Sequence, residues 1–428
     1  MDSAPHRAPD RAPDQADRTY RRLAAGSLLT SFAGSAPSAL YPLYQREWGF
    51  PGWLLTVVFA VFVAGIIVAL PAAPVSNRLG RRPVLLTAVA CCLLGTALLL
   101  VPGLPNLLTA SAVLGFGVGL YQTTVNAALV ELVPAGRATA TPEPAMAEAR
   151  TAHTSPADRD AGSGPRAALD RRVARATLAS SRMGALGLAS GPLCAGLLAQ
   201  YAPAPTMLIY LAELVALAVL LAALARTPLG RAVRPDTAPS APARPAAAGP
   251  IALFAAMAFF AYAGGAFLNA TGSTIMVTWL RVDNLAVGGL ALALMFGSSA
   301  LAQTWITRTG PGPLVRAGLV AGVVGLFCVA VAVAAGTPAL MLAAAVLVGM
   351  GQGGAYAGSL ALLNLSVPAA RLATMTGRYY LAAYAGAALP SLAAGWAFAQ
   401  AGLATATLLF ACAIGVPALF IAVRTRFA

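Results

Sequence analysis

The chain has 428 residues, of which 59% are hydrophobic and only 10% charged, with a net charge of +14. Soluble globular domains carry about 25% charged residues, so an ordinary soluble fold is excluded; apolar runs of about 20 residues recur instead, each long enough for a bilayer core of about 30 Å. The positive charge does not point to nucleic acid, because every basic residue is arginine and nearly all lie between apolar runs, as the positive-inside rule requires.

Residues 1–20 are polar, with an R-A-P-D tandem and no apolar signal core, and read as a disordered cytoplasmic tail. Twelve spans follow, at roughly 21–44, 53–75, 84–101, 107–133, 173–200, 206–225, 251–278, 285–306, 313–335, 339–367, 370–400 and 403–423. The predicted fold is therefore an all-α polytopic membrane protein. With the N terminus inside, the inner segments hold almost every arginine and the outer loops only Arg46 and Arg281. Both termini are expected on the cytoplasmic side.

The two halves resemble each other. Gly115, Gly117, Gly119, Pro134 and Arg137 recur as Gly349, Gly351, Gly353, Pro368 and Arg371, a constant separation of 234 residues. Arg78, Gly80 and Pro83 recur as Arg308, Gly310 and Pro313, and Arg175 and Arg182 as Arg371 and Arg378. Three matches in one order indicate a duplication of parallel six-span units, residues 21–225 and 250–428. An Ala-, Pro- and Arg-rich insertion at 134–172 and a Pro/Ala-rich linker at 226–249 read as disordered and extended cytoplasmic segments.

The loop between the second and third spans reads A-P-V-S-N-R-L-G-R-R-P from Ala73. It resembles motif A of the major facilitator superfamily, with Arg78, Gly80, Arg81 and Arg82 in place and Asn77 where that pattern has an acid. The fifth span carries Gly187, Gly191, Pro192 and Gly196, similar to motif C of the drug–proton antiporters in that superfamily, with Ala195 in place of a glycine. The resemblance implies two pseudo-symmetric six-helix bundles that rock around a central cavity. It also implies a gate in which Arg81 pairs with Glu131 at the end of the fourth span. Independently of the family, Gly187 and Gly191 make a small-xxx-small face, and Pro192 and Pro390 bend their helices.

Glu213 is the one acid well inside an apolar run; a charge there costs about 2.5–3.5 kcal/mol on insertion scales, which makes it the proton-coupling candidate. The competing reading is a neutral packed glutamate in a scaffold helix. The first span carries no acid before Glu47, which counts against antiport. Arg182 and Arg378 occupy repeat-equivalent places and are candidates either for an anionic substrate group or for a cytoplasmic gate. Gln122, Asn126, Asn269, Gln352, Tyr356, Tyr380 and Tyr384 are the remaining cavity candidates, with interhelical hydrogen bonding as the alternative use. The five cysteines lie in apolar runs without metal spacing, and no nucleophilic, phosphate-binding or cofactor motif is present.

The sequence thus predicts a secondary transporter in a bacterial cytoplasmic membrane, without catalytic residues, metal or cofactor. Its expected partners are lipid, a small-molecule substrate and protons, and its expected work is proton-coupled efflux of a small amphipathic compound. An importer or uniporter of a small, anionic solute and a non-transporting sensor or scaffold are the alternatives.

Overall fold

The computed structural model describes residues 11–71, 76, 79–132, 165–227, 248–367 and 369–425. No strand occurs among the described residues. The first half contains α1 (Arg11–Ser35), α2 (Pro37–Trp48), α3 (Leu54–Ala69), α4 (Arg81–Leu98), α5 (Leu104–Leu132), α6 (Pro165–Tyr201) and α7 (Leu208–Ala225). The second contains α8 (Ala248–Thr274), which runs into a π-helical turn at Ile275–Trp279, then α9 (Leu285–Thr304), the single-turn α10 (Ile306–Thr309), α11 (Pro311–Ala335), α12 (Pro338–Ser366) and α13 (Ala369–Arg424).

Among the described residues nine helices are long and apolar enough to cross a membrane. The 56-residue α13 is two rods, because Gly402 (φ 79°, ψ 166°) breaks it where the eleventh and twelfth spans were expected to part. The 16-residue α3 is apolar but shorter, and α1 and α2 form one interrupted rod. The all-helical, polytopic architecture follows the sequence reading and is compatible with twelve crossings.

Two boundaries differ from that reading. Helix α1 begins at Arg11, so residues 11–20 are helical rather than tail; Pro13 falls in the first turn, where a missing N–H costs nothing. Helix α6 begins at Pro165, inside the expected insertion, where Pro stands at the first helical position before a run of Ala and Arg with high helix propensity. The rest of that insertion and most of the linker lie outside the described residues.

Packing reproduces the internal repeat. In α5, added β-carbons on Gly115 and Gly119 would meet the backbone of α3, and one on Gly117 the backbone of α4. In α12, Gly349 and Gly353 press on α9 in the same way and Gly351 on α11. Only glycine permits backbones to approach so closely. The turns before α4 and α11 repeat as well: Gly80 has φ 95°, ψ 156° and Gly310 has φ 77°, ψ 166°.

The halves meet along a seam where α6 packs on α9, α3 on α13, and α2 on α8 and α9. The hydrogen bonds across the seam lie toward the face away from the termini, and apolar packing of Phe59 and Val63 with Ala266 and Ala387 continues the seam to mid-span. Ser273 donates to the Ser38 carbonyl. The Leu285 N–H donates to Gln200 Oε1 at 2.7 Å, and Asn284 Nδ2 to the Tyr201 hydroxyl at 3.1 Å. A Cβ on Gly52 would stand 2.7 Å from the Phe398 ring. Toward the terminal face, no dense contact joins α5 to α12 or α13, or α6 to α12, among the described residues. Among the described residues the close contacts across the seam gather at the far face, and the terminal-face ends of α5, α6, α12 and α13 make none as dense.

Candidate functional site

A cavity of about 90 Å³ lies between the halves, room for about three waters at 30 Å³ each. Helix α6 contributes Ala185 and Leu188; α8 contributes Tyr262; α9 contributes Phe296, Ser299 and Gln303; α12 contributes Gln352 and Tyr356. None of the described lining side chains is charged.

The tyrosines form a continuous cluster. Tyr262 stands edge-on to Tyr356 and Tyr384, with ring centroids 5.5 and 6.1 Å away, and Tyr380 lies 6.5 Å from Tyr384. The Tyr356 and Tyr380 hydroxyls are 3.3 Å apart. Edge-to-face pairs at these distances are the favourable arrangement for aromatic quadrupoles. Tyr379 supports the cluster from behind: it is buried, lies 2.9 Å from Ser359 Oγ and donates to the Tyr356 carbonyl at 3.0 Å.

Three amides named from the sequence carry a buried oxygen without a partner: Asn126 Oδ1, Asn269 Oδ1 and Gln352 Oε1. An unpaired buried acceptor forfeits about 1–3 kcal/mol, so each is a place where a donor is welcome. Gln352 lines the cavity directly. Gln122 is already engaged, with Nε2 donating to Ser31 Oγ at 3.0 Å and to the Ser27 carbonyl at 3.4 Å.

Arg182 and Arg378 are both exposed. At 100° per residue, Arg182 shares the stripe of Leu186 and Leu197, and Arg378 that of Leu381, Leu389 and Trp396, all exposed apolar side chains. On α6 the cavity is lined by Ala185, one turn after Arg182, and by Leu188. Neither arginine is among the described residues that line it.

In the motif A loop, Asn77 and Arg78 lie outside the described residues, as does the side chain of Glu131, so their expected parts in a gate stay there too. Arg81 is buried and donates to Ser76 Oγ. Arg82 donates to the Ala225 carbonyl at the end of α7, and Arg22 reaches Thr227 Oγ1 just beyond it at 2.9 Å. Two cations thus meet the negative end of one helix dipole. The motif C-like glycines sit at close helix contacts: a Cβ on Gly191 would stand 2.7 Å from the Phe32 carbonyl oxygen of α1, and one on Gly196 2.8 Å from that of Leu285 at the start of α9. Gly187 faces Leu28 in the same way, and Pro192 lies opposite Gly289.

Glu213 is 4% exposed and sits away from the cavity, in the wall formed by α7 with α4, α1 and α6, which α2 reaches through the Tyr44–Tyr210 hydrogen bond. Thr96 Oγ1 donates to its Oε2 at 3.5 Å. Sequence reasoning missed Tyr262, Ser299 and Gln303, for which the signal was the same that found Gln352, an amide or hydroxyl isolated in an apolar span; it also missed Phe296, which carries no such signal.

A family model described as the Major Facilitator Superfamily matches residues 9–141. The whole chain is similar in fold to a POT family transporter solved with 5-aminolevulinic acid (TM-score 0.70, 12% identity, covering 95% of this chain and 96% of that one). It is similar likewise to the nucleoside transporter NupG (TM-score 0.63, 15% identity, 95% and 99%). A third is the xylose transporter XylE from E. coli in an inward-open conformation (TM-score 0.66, 15% identity, 95% and 95%). No curated protein matches the sequence. The resemblance to the major facilitator superfamily drawn from the sequence is met by that family model over residues 9–141, and the fold of the whole chain is similar to those of these solved transporters.

Proposed function

We propose that the chain is a secondary active transporter that carries a small, uncharged, ring-bearing compound with hydrogen-bond donors, by alternating access in a bacterial cytoplasmic membrane. One observation carries this reading: a cavity at the seam of two repeated halves whose described lining includes tyrosines and amides and no charged side chain. Stacking rings favour a flat substrate, and the unpaired Gln352 oxygen favours a donor on it. With both termini cytoplasmic, as the arginine distribution supports, the face with the sparser seam contacts opens inward. The motif C-like helix α6, packed against α9 across the seam, supports proton-coupled efflux.

A second reading, proton-coupled import, draws support from the neighbours, which include a D-xylose–proton symporter. Purified protein in liposomes with an imposed pH gradient tests both, with uridine and xylose as first probes. Efflux coupling predicts that substrate and protons cross in opposite directions, and import coupling that they cross together. No gradient-dependent movement of any uncharged ring compound, and no substrate-induced proton flux, would sink the transporter reading.

A further inference from the structure

We propose that Glu213 is a proton-binding site set apart from the substrate cavity, and that α2 carries its occupancy to the closed gate on the far face. The inference rests on the transporter reading only for the purpose the gate serves. Helix α7 presents Leu211, Val215 and Val219 outward, each at least 49% exposed, and turns Glu213 the opposite way into the protein. There Oε2 has one long hydroxyl contact, from Thr96, and Oε1 has no partner. The ionisable groups within electrostatic reach are Cys92 on α4, Tyr44 on α2 and Tyr210 on α7 itself, with Tyr41 and Glu47 behind Tyr44. None of these is a cation, and α6 brings none of its ionisable side chains to the carboxyl among the described residues.

Glu213 lies one turn from the residue through which α7 meets α2. Tyr210, one turn before Glu213 on α7, meets the Tyr44 hydroxyl at 2.5 Å, and Tyr44 stacks on Trp48 with centroids 4.5 Å apart. Both belong to α2, which continues from α1 through a helical Ala36 (φ −55°, ψ −41°) and starts at Pro37, where an N–H is missing from the ladder. Helix α2 is itself part of the far gate: it packs on α8 and α9, and its Ser38 carbonyl accepts from Ser273. A carboxylate in this wall is an uncompensated buried charge, which penalises the packing. Taking up one proton from water turns it into a neutral acid and removes the penalty. Proton occupancy therefore holds α2 against α7 and the gate shut; proton loss favours an arrangement in which α2 moves off and water reaches the carboxylate.

Hydrogen exchange of the full chain in nanodiscs, without substrate, tests this at acidic and alkaline pH. Rates are corrected for intrinsic pH dependence and referred to residues 338–366. The wild type is expected to lose protection over residues 37–48 by about fivefold on going alkaline. Glu213→Gln is expected to stay protected at both pH values, and Tyr44→Phe to keep the pH response in residues 208–216 while losing it in 37–48. A wild type that does not respond, or a Glu213→Gln protein that responds as the wild type does, overturns the proton site. A pH response of 37–48 that survives Tyr44→Phe overturns the relay. If Glu213→Gln does not fold, Glu213→Met takes its place: it too is expected to stay protected at both pH values, and a wild-type response in it overturns the proton site. Exchange that switches as expected in protein that moves no substrate would support this site while overturning the transporter reading.

Discussion

Gln352 shows most directly how one side chain defines the site. Its carbonyl oxygen is buried, lines the cavity and has no partner. Gln352→Leu is expected to weaken binding of an uncharged donor-bearing substrate about tenfold, or about 1.4 kcal/mol, measured by titration calorimetry. Thermal stability should hold or rise, since an unsatisfied group leaves the interior. Gln352, Tyr356, Tyr380 and Tyr384 were legible because a polar or aromatic group in an apolar helix must be explained. Tyr262 and Gln303 carry the same signal and were passed over. Two neighbours of Glu213 were not legible at all: Thr96 and Tyr44 come from α4 and α2, and only long-range packing brings them to Glu213 and to Tyr210 on α7. The exposed registers of Arg182 and Arg378 were likewise hidden, because repeat equivalence gives depth along a helix and not its rotation.

At the scale of elements, the seam depends on α6 lying almost backbone to backbone against α9. Gly289 sits opposite Pro192, where a side chain would collide with the carbonyl oxygen. Gly289→Val is expected to force the far face apart and to lower stability by about 1–3 kcal/mol, the usual cost of overpacking. Distance measurements between labels on residues 204 and 283 would show the separation, and unchanged distances would mean the seam absorbs a branched side chain. The small-residue stripe of α6 was evident from Gly187, Gly191 and Gly196. That its C-terminal end serves the junction between halves, and its middle serves α1, needed the packed structure.

At the scale of the molecule, duplication was the most legible property. Glycines at a fixed separation in sequence proved to make equivalent contacts, α5 on α3 and α4 in one half and α12 on α9 and α11 in the other. Which face gathers the close seam contacts left no sequence trace, because both arrangements use the same residues and differ only in which seam contacts are made. The insertion between α5 and α6 tests whether the whole chain works as a transporter. Excising residues 138–163 is expected to leave substrate uptake into liposomes intact, whereas loss of uptake with normal folding would make that segment part of the machinery.

The cavity walls are unequal: the first half supplies Ala185 and Leu188, and the second supplies every aromatic and polar lining group. After duplication the two copies have specialised, one as a smooth moving wall and the other as the reader of chemical identity. Selectivity should therefore be heritable by halves. A hybrid joining residues 248–428 to the leading half of a related transporter should keep this protein's substrate preference, and the reciprocal hybrid should lose it.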